Sequence, residues 1–473
     1  MRFFWLFLIL PLITNGQHAI IRGVAPLAIG EEIQLRVNDD PISGKERILA
    51  TQKIDVDGSF ELKVIPNGDP QYAILQVGQN CADFFIERDA NLELSFVPPK
   101  PDPNKPKAFN ERQFFAPKIT GGSGKKLNDE ILAFNDSLDA FLESIYPMLK
   151  QRKSPKFVAE QVAFFQRLVA RVFANVQPFT RDYIKYSIAG VEQTFLTDRE
   201  KLFSKYLKGV QPQFNNPAYT DFVLQFFQGE VYKLAVVNKY EECKKVFAEK
   251  EAFAKLDEML KSAEPKLTDV SLRRMVLIQG IEGLFGQRDF EDQKLIDALK
   301  HFGMLSSNSY LGNAARNVAD KHASLTKGTP APDIVFTDVS GSEKKLSDFF
   351  GKYVFLELTD AENTYSNRET NVIPNLLDEF KFIRFVTICV GNSEKEMLDL
   401  QKKMNIDWEL GRIELSSTAL DDYRIKSLPL FFIIDPDGKF YAAPAKDPTK
   451  GAQMELMSLN EQLKAKNKSS VGK

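Results

Sequence analysis

The hydrophobic period of this 473-residue sequence changes twice along its length, so no single fold class accommodates the whole chain. In IQLRV (33–37) and SFELKV (59–64) apolar and polar residues alternate, the period of a strand with one buried face. Asp57-Gly58, between two such runs, signals a hairpin turn. YAILQV, ADFFIE and LELSF follow at short spacing with no helical pattern between them. Residues 17–98 therefore predict a small antiparallel β-sandwich.

The pattern then breaks. PPKPDPNKPK opens a Pro/Gly-rich linker expected over 99–126, extended and exposed. From 127 to 324 the period is helical. Phe164, Phe165, Leu168, Val169 and Val172 fall at i, i+1, i+4, i+5 and i+8, one amphipathic stripe. Similar stripes in DFVLQFFQGEVYKLAVV, FAKLDEMLKSA and LIDALKHFGML suggest seven or eight helices, with the phenylalanines filling the core between them. No fixed repeat is evident. From 325 strands and helices alternate, which implies a parallel or mixed sheet covered by helices. Within it FIRFVTICVG (382–391) is almost continuously apolar, as a strand buried on both faces must be. Residues 466–473 read as a polar, disordered tail.

MRFFWLFLILPLITNGQ, at the start, combines Arg2, an apolar run over 3–13 and small residues at Thr14 and Gly16. This is the pattern of a secretory signal peptide over 1–16, too short to span a bilayer. No cysteine follows the cleavage site, so a periplasmic or secreted protein without a lipid anchor is expected. Lys plus Arg (62) nearly cancel Asp plus Glu (64), and no global charge points to nucleic acid. Cys81, Cys243 and Cys389 are the three cysteines, too few and too scattered for a disulfide framework.

Two blocks of the C-terminal third carry a family resemblance. LTKGTPAPDIVFTDVSGSEKKLSDFFGKYVFLEL (325–358) contributes Gly328, Pro330, Ala331-Pro332-Asp333, Gly341, Leu346-Ser347-Asp348 and Gly351-Lys352. YRIKSLPLFFIIDPDGKF (423–440) contributes Pro429, the strand after it and the Asp435-Pro436-Asp437-Gly438 turn. In that order they resemble the thioredoxin-like domain of extracytoplasmic thiol-disulfide oxidoreductases and their peroxiredoxin relatives. The resemblance spans 325–465 and implies an α/β thioredoxin-like fold, with Pro429 at the family's cis-proline position. The whole layout also resembles a Bacteroidetes-type arrangement of β domain, helical middle and thioredoxin-like end, with ITGGSGKKLNDEI at the junction.

An enzyme of that family needs a low-pKa thiolate at a helix N-terminus, usually in Cys-x-x-Cys. VFLELTDAENTYSNRETNVIP (354–374) has no sulfur. Counted back from Pro374, the sulfur positions fall near Ser366 and Glu369; counted from the strand, the first falls at Asn363. Ser366 or Thr364 reads as a helix N-cap, with Glu369 at capping-box spacing from Ser366. The degenerate loop is thus Asn363, Thr364, Tyr365, Ser366, Asn367, Arg368 and Glu369, with no catalytic residue. Cys389 is expected in the core. Cys81 is expected to be partly exposed, and Cys243, in EECKK, on a solvated helix face as the best of the three for a reactive thiol.

Other motifs are weak. GGSGKK (121–126) lacks the first glycine and final Ser/Thr of a P-loop. His18, His301 and His322 have no ligand spacing, so neither a metal nor another cofactor is expected. These observations suggest an exported protein whose redox-inactive thioredoxin-like domain binds a protein or peptide partner beside Pro429. The alternatives are an envelope oxidoreductase using a non-standard cysteine, Cys81 or Cys243, and a structural envelope component with the helical middle as its interaction surface.

Overall fold

The computed structural model describes residues 18–68, 70–100, 112–150, 155–195, 198–287, 289–415, 417–425 and 427–471. The expected signal peptide, residues 101–111 of the expected linker and the last two residues of the expected tail lie outside them.

The chain divides into two compact units. The first opens with β1 (Ala19–Val24), β2 (Glu32–Asn38), β3 (Glu46–Lys53), β4 (Ser59–Val64), β5 (Gln71–Val77), β6 (Asn80–Ile86), β7 (Asn91–Ser95), β8 (Gln113–Phe115) and β9 (Lys118–Gly121). They form two sheets, ordered β4-β1-β7-β9 and β3-β2-β5-β6-β8. The alternation in β4 sends Phe60, Leu62 and Val64 into the core, where Ile33, Leu35 and Val37 of β2 meet them from the other sheet. The sandwich departs from the antiparallel expectation where β1 runs parallel to β7. The short strands β8 and β9 fall inside the stretch expected as linker, because three or four residues are too few to display a period. Gly122 there has φ +95°, and a Cβ on it would lie 2.1 Å from the Asn91 carbonyl oxygen. GGSGKK is therefore a packed turn, and glycine is required by close backbone approach.

Helices Lys125–Lys150, Pro155–Val172 and Pro178–Phe195 follow in this unit. The first covers the outer face of the second sheet, where Leu127 and Ile131 pack on Phe85. Asn128 fastens it there: its Oδ1 accepts from the Phe85 N–H at 2.7 Å and its Nδ2 donates to the Phe85 carbonyl at 2.9 Å. The stripe of the second helix is split. Phe165 and Val169 are buried, whereas Phe164, Leu168 and Val172 face solvent. At 100° per residue, i and i+1 cannot both point at one narrow seam.

The second unit takes the helices between 229 and 265 and from Arg273 onward, so the helical stretch divides between the two units. Its sheet comprises β10 (Val335–Asp338), β11 (Glu343–Lys345), β12 (Tyr353–Thr359), β13 (Ile383–Val390), β14 (Glu409–Ile413), β15 (Leu430–Ile434) and β16 (Phe440–Ala442), in the order β11-β10-β14-β13-β12-β15-β16. β12, β13 and β14 are parallel, and β15 is antiparallel to β12. Each face of the central strands carries its own core, Leu356, Leu358 and Ile388 on one and Phe355, Phe385 and Ile433 on the other. That two-sided burial is why 382–391 shows no alternation. The last helix, Ala452–Val471, runs into the stretch expected as polar tail, which has no helix breaker before Gly472.

Candidate functional site

The degenerate loop lies where β12 ends. Thr359 closes the strand in the core, and the next turn is held by side chains. Asn392 Oδ1 accepts from the Ala361 N–H at 3.0 Å, and Asp360 Oδ1 accepts from the Glu362 N–H at 3.0 Å. The helix Thr364–Thr370 then begins with Asn363 as its N-cap. Asn363 Oδ1 accepts from the N–H groups of Tyr365 (2.8 Å) and Ser366 (3.1 Å). Two of the free donors that make a helix start attractive to an anion are thereby occupied.

The capping expectation changes in detail. Neither Ser366 nor Thr364 caps the helix, because Asn363 precedes both and is an equally good cap. Ser366 is buried in the first turn, and its hydroxyl has no hydrogen-bond partner among the described residues. Glu369 does not reach back to it. Its carboxylate instead accepts from Thr449, from the N–H at 2.8 Å and the hydroxyl at 2.5 Å. Pro374 belongs to a separate helix, Ile373–Glu379. The interruption at Asn371 and Val372 displaces any count made backward from the proline.

The rim is polar. Tyr365 Oη donates to Asp447 Oδ2 at 2.9 Å, and Lys450 Nζ donates to Tyr365 Oη at 2.6 Å. Lys450 is also 3.0 Å from the Asp447 carboxylate; these two contacts raise its pKa. Asn367 Nδ2 donates to the Ala361 carbonyl at 3.1 Å while its Oδ1 is buried without a partner among the described residues. Arg368 points to solvent. The Leu428–Pro429 peptide bond is cis. Because Leu430 pairs with Leu358, Pro429 stands at the same end of the sheet as Thr359 and the loop leading to Asn363. The Ala445 N–H donates to the Phe431 carbonyl at 2.7 Å, which brings the segment after β16 to that end as well.

Beneath the helix lies a group the sequence reading missed. Glu357, on β12, is fully buried. Thr370 Oγ1 donates to one of its oxygens at 2.7 Å and Thr387 Oγ1 to the other at 2.8 Å. Trp408 Nε1 donates to Thr387 Oγ1 at 2.9 Å. Burial drives the Glu357 pKa up to about 7 against the pull of the two hydroxyls. The signal was available: Glu357 is the lone ionisable residue in the apolar run VFLEL. Thr449 and Asp447 carried no such signal, being distant in sequence.

All three cysteines are buried. Cys389, on β13 beside Thr359, has its pKa raised by burial. Cys243 is not on a solvated face: in the helix Tyr240–Val246 its charged sequence neighbours Glu242 and Lys244 point outward while it points in, and burial pushes its thiol up to about 11. Cys81 is not partly exposed either, because β6 is covered on both faces. Among the described residues no group of three or more His, Cys, Asp or Glu side chains is placed to hold a metal ion. No described helix is long and apolar enough to cross a membrane.

The curated relatives and solved structures that this domain is similar to are thiol-disulfide oxidoreductases and their kin. No family model matches the chain. The thiol-disulfide oxidoreductase ResA of Bacillus subtilis is 27% identical over 138 residues, covering 29% of this chain and 76% of that protein. ResA of Geobacillus kaustophilus is 26% identical over 125 residues, 26% of this chain and 71% of the relative. Among solved structures, the thioredoxin domain of a thiol-disulfide oxidoreductase from Bacteroides vulgatus is 23% identical (TM-score 0.26), covering 30% of this chain and 99% of its own. A thiol:disulfide interchange protein from Bacteroides sp. is 21% identical (TM-score 0.26), covering 29% and 89%.

Proposed function

We propose that the thioredoxin-like domain is redox-inactive and serves an exported protein as a binding module, accepting an extended peptide beside Pro429. The observation that carries this reading is the start of the helix Thr364–Thr370. An exposed N-cap followed three residues later by a buried first-turn side chain is the arrangement a Cys-x-x-Cys pair needs, and here the two residues are Asn363 and Ser366. The first is an amide that binds the helix's own N–H groups; the second is a hydroxyl whose pKa lies far above that of a thiol. The sheet supports this reading: Pro429 precedes β15 at the end of the sheet it shares with Thr359, where an extended peptide would pair, with Tyr365 and Lys450 at the rim.

The competing reading, an oxidoreductase working through Cys81 or Cys243, needs a thiolate at neutral pH. Burial of all three cysteines opposes it. Reduction of insulin by the mature protein, beside a triple Cys→Ser variant, separates the two. Equal, background rates support the binding module. Activity present in the natural chain and lost in the variant overturns it.

A further inference from the structure

We infer that the outer face of the helix Pro155–Val172 is a docking surface for an acidic amphipathic helix of a partner protein. This inference is independent of the thioredoxin-like domain. The helix has two apolar faces. One, with Val158, Val162, Phe165 and Val169, is buried in the bundle, where Phe165 stacks on Phe141 at 4.3 Å. The other carries Phe164, Leu168 and Val172, which are 59%, 46% and 62% exposed. Spaced four apart, they form one continuous ridge over more than two turns. Single exposed apolar residues are ordinary, but an aligned row of three marks a contact surface.

Charge identifies the occupant. Arg167 and Arg171 follow Phe164 and Leu168 by three residues, so they flank the same ridge. Both are exposed, and neither has an ion-pair partner among the described residues. Lys156 adds a third exposed cation on that flank and Glu160 a single anion, leaving it net positive. Two unpaired arginines beside an apolar ridge complement a helix with apolar residues at three-and-four spacing and Asp or Glu along one border. A second copy of this face would bring like charges together. The chain's own Lys-rich stretches at 100–107 and 464–473 carry the same sign.

The test uses the full mature chain and two synthetic stapled helices of about 18 residues. Both carry leucines at three-and-four spacing; one is flanked by glutamates and the other by lysines. The expected result is saturable binding of the acidic helix and at least about tenfold weaker binding of the basic one. Leu168→Glu, at an exposed position, should abolish binding, and the pair Arg167→Glu and Arg171→Glu should reverse the charge preference. The proposal is overturned if the acidic helix fails to bind, if both bind equally, or if Leu168→Glu has no effect. It is also overturned if that variant instead removes binding to equimolar phosphatidylcholine and phosphatidylglycerol vesicles, or a concentration-dependent dimer, while neither peptide binds.

Discussion

Thr370 Oγ1 donates a 2.7 Å hydrogen bond to the buried carboxylate of Glu357, joining the helix Thr364–Thr370 to the central strand beneath it. Thr387 satisfies the other carboxylate oxygen from the neighbouring strand. Among the described residues its hydrogen bonds come from hydroxyls and no cation pairs with it, and that sets its response to pH.

Glu357 has its pKa raised from 4.5 to about 7 in the folded chain. Below about pH 4.5 the carboxyl is protonated in both states and its burial has no ionisation cost. Between about 4.5 and 7 only the unfolded chain ionises, so stability falls as pH rises, by about 3 kcal/mol in all, and is level above that. Urea unfolding of protein beginning at Gln17, followed by Trp408 fluorescence, should show this fall. Glu357→Gln should remove most of it and be the more stable protein at about pH 8. Parallel pH profiles for the two would contradict the assignment.

Glu369 is buried and anchors Thr449 through both the backbone and the hydroxyl. Thr449→Val removes one donor from a buried carboxylate and should cost about 1–3 kcal/mol. Thr449→Ser should cost little. Hydrogen exchange should show faster amides in the helix Thr364–Thr370 for the valine variant alone.

If Asn363 and Ser366 occupy the two sulfur positions, Asn363→Cys with Ser366→Cys should form a disulfide reducible by dithiothreitol. On reduction, the thiol at 363 should titrate below the ordinary value of about 8.5, held there by first-turn N–H groups. Absorbance of the thiolate against pH reads this directly. Failure of the pair to close under mild oxidation would place the sulfur positions elsewhere.

The three native thiols should be silent. Ellman's reagent should label Cys81, Cys243 and Cys389 at least about a hundredfold more slowly in the native protein than in guanidinium, since labelling must await local opening. Rapid labelling of one thiol would reopen the oxidoreductase reading at that residue.

The strand alternation of the N-terminal sheets, the apolar run of β13 and the position of Pro429 just before β15 were all legible in the sequence. Each is a local pattern or a motif in fixed order. Sequence also showed that no Cys-x-x-Cys exists. It did not show which residue starts the helix, because Asn, Ser and Thr are near-equal caps and only the chain's path out of β12 chooses Asn363. The stripe at 164–172 gave the helix but not which half of it would be covered, since that depends on where neighbouring helices pack. Nor could it bring Glu369 to Thr449 or Tyr365 to Asp447. Those pairs lie about 80 residues apart in sequence and meet because β16 returns the chain to the end of the sheet where β12 leaves it. Local periodicity determined the elements; burial, which depends on what packs against each face, decided which side chains became buried acids, buried thiols or open surface.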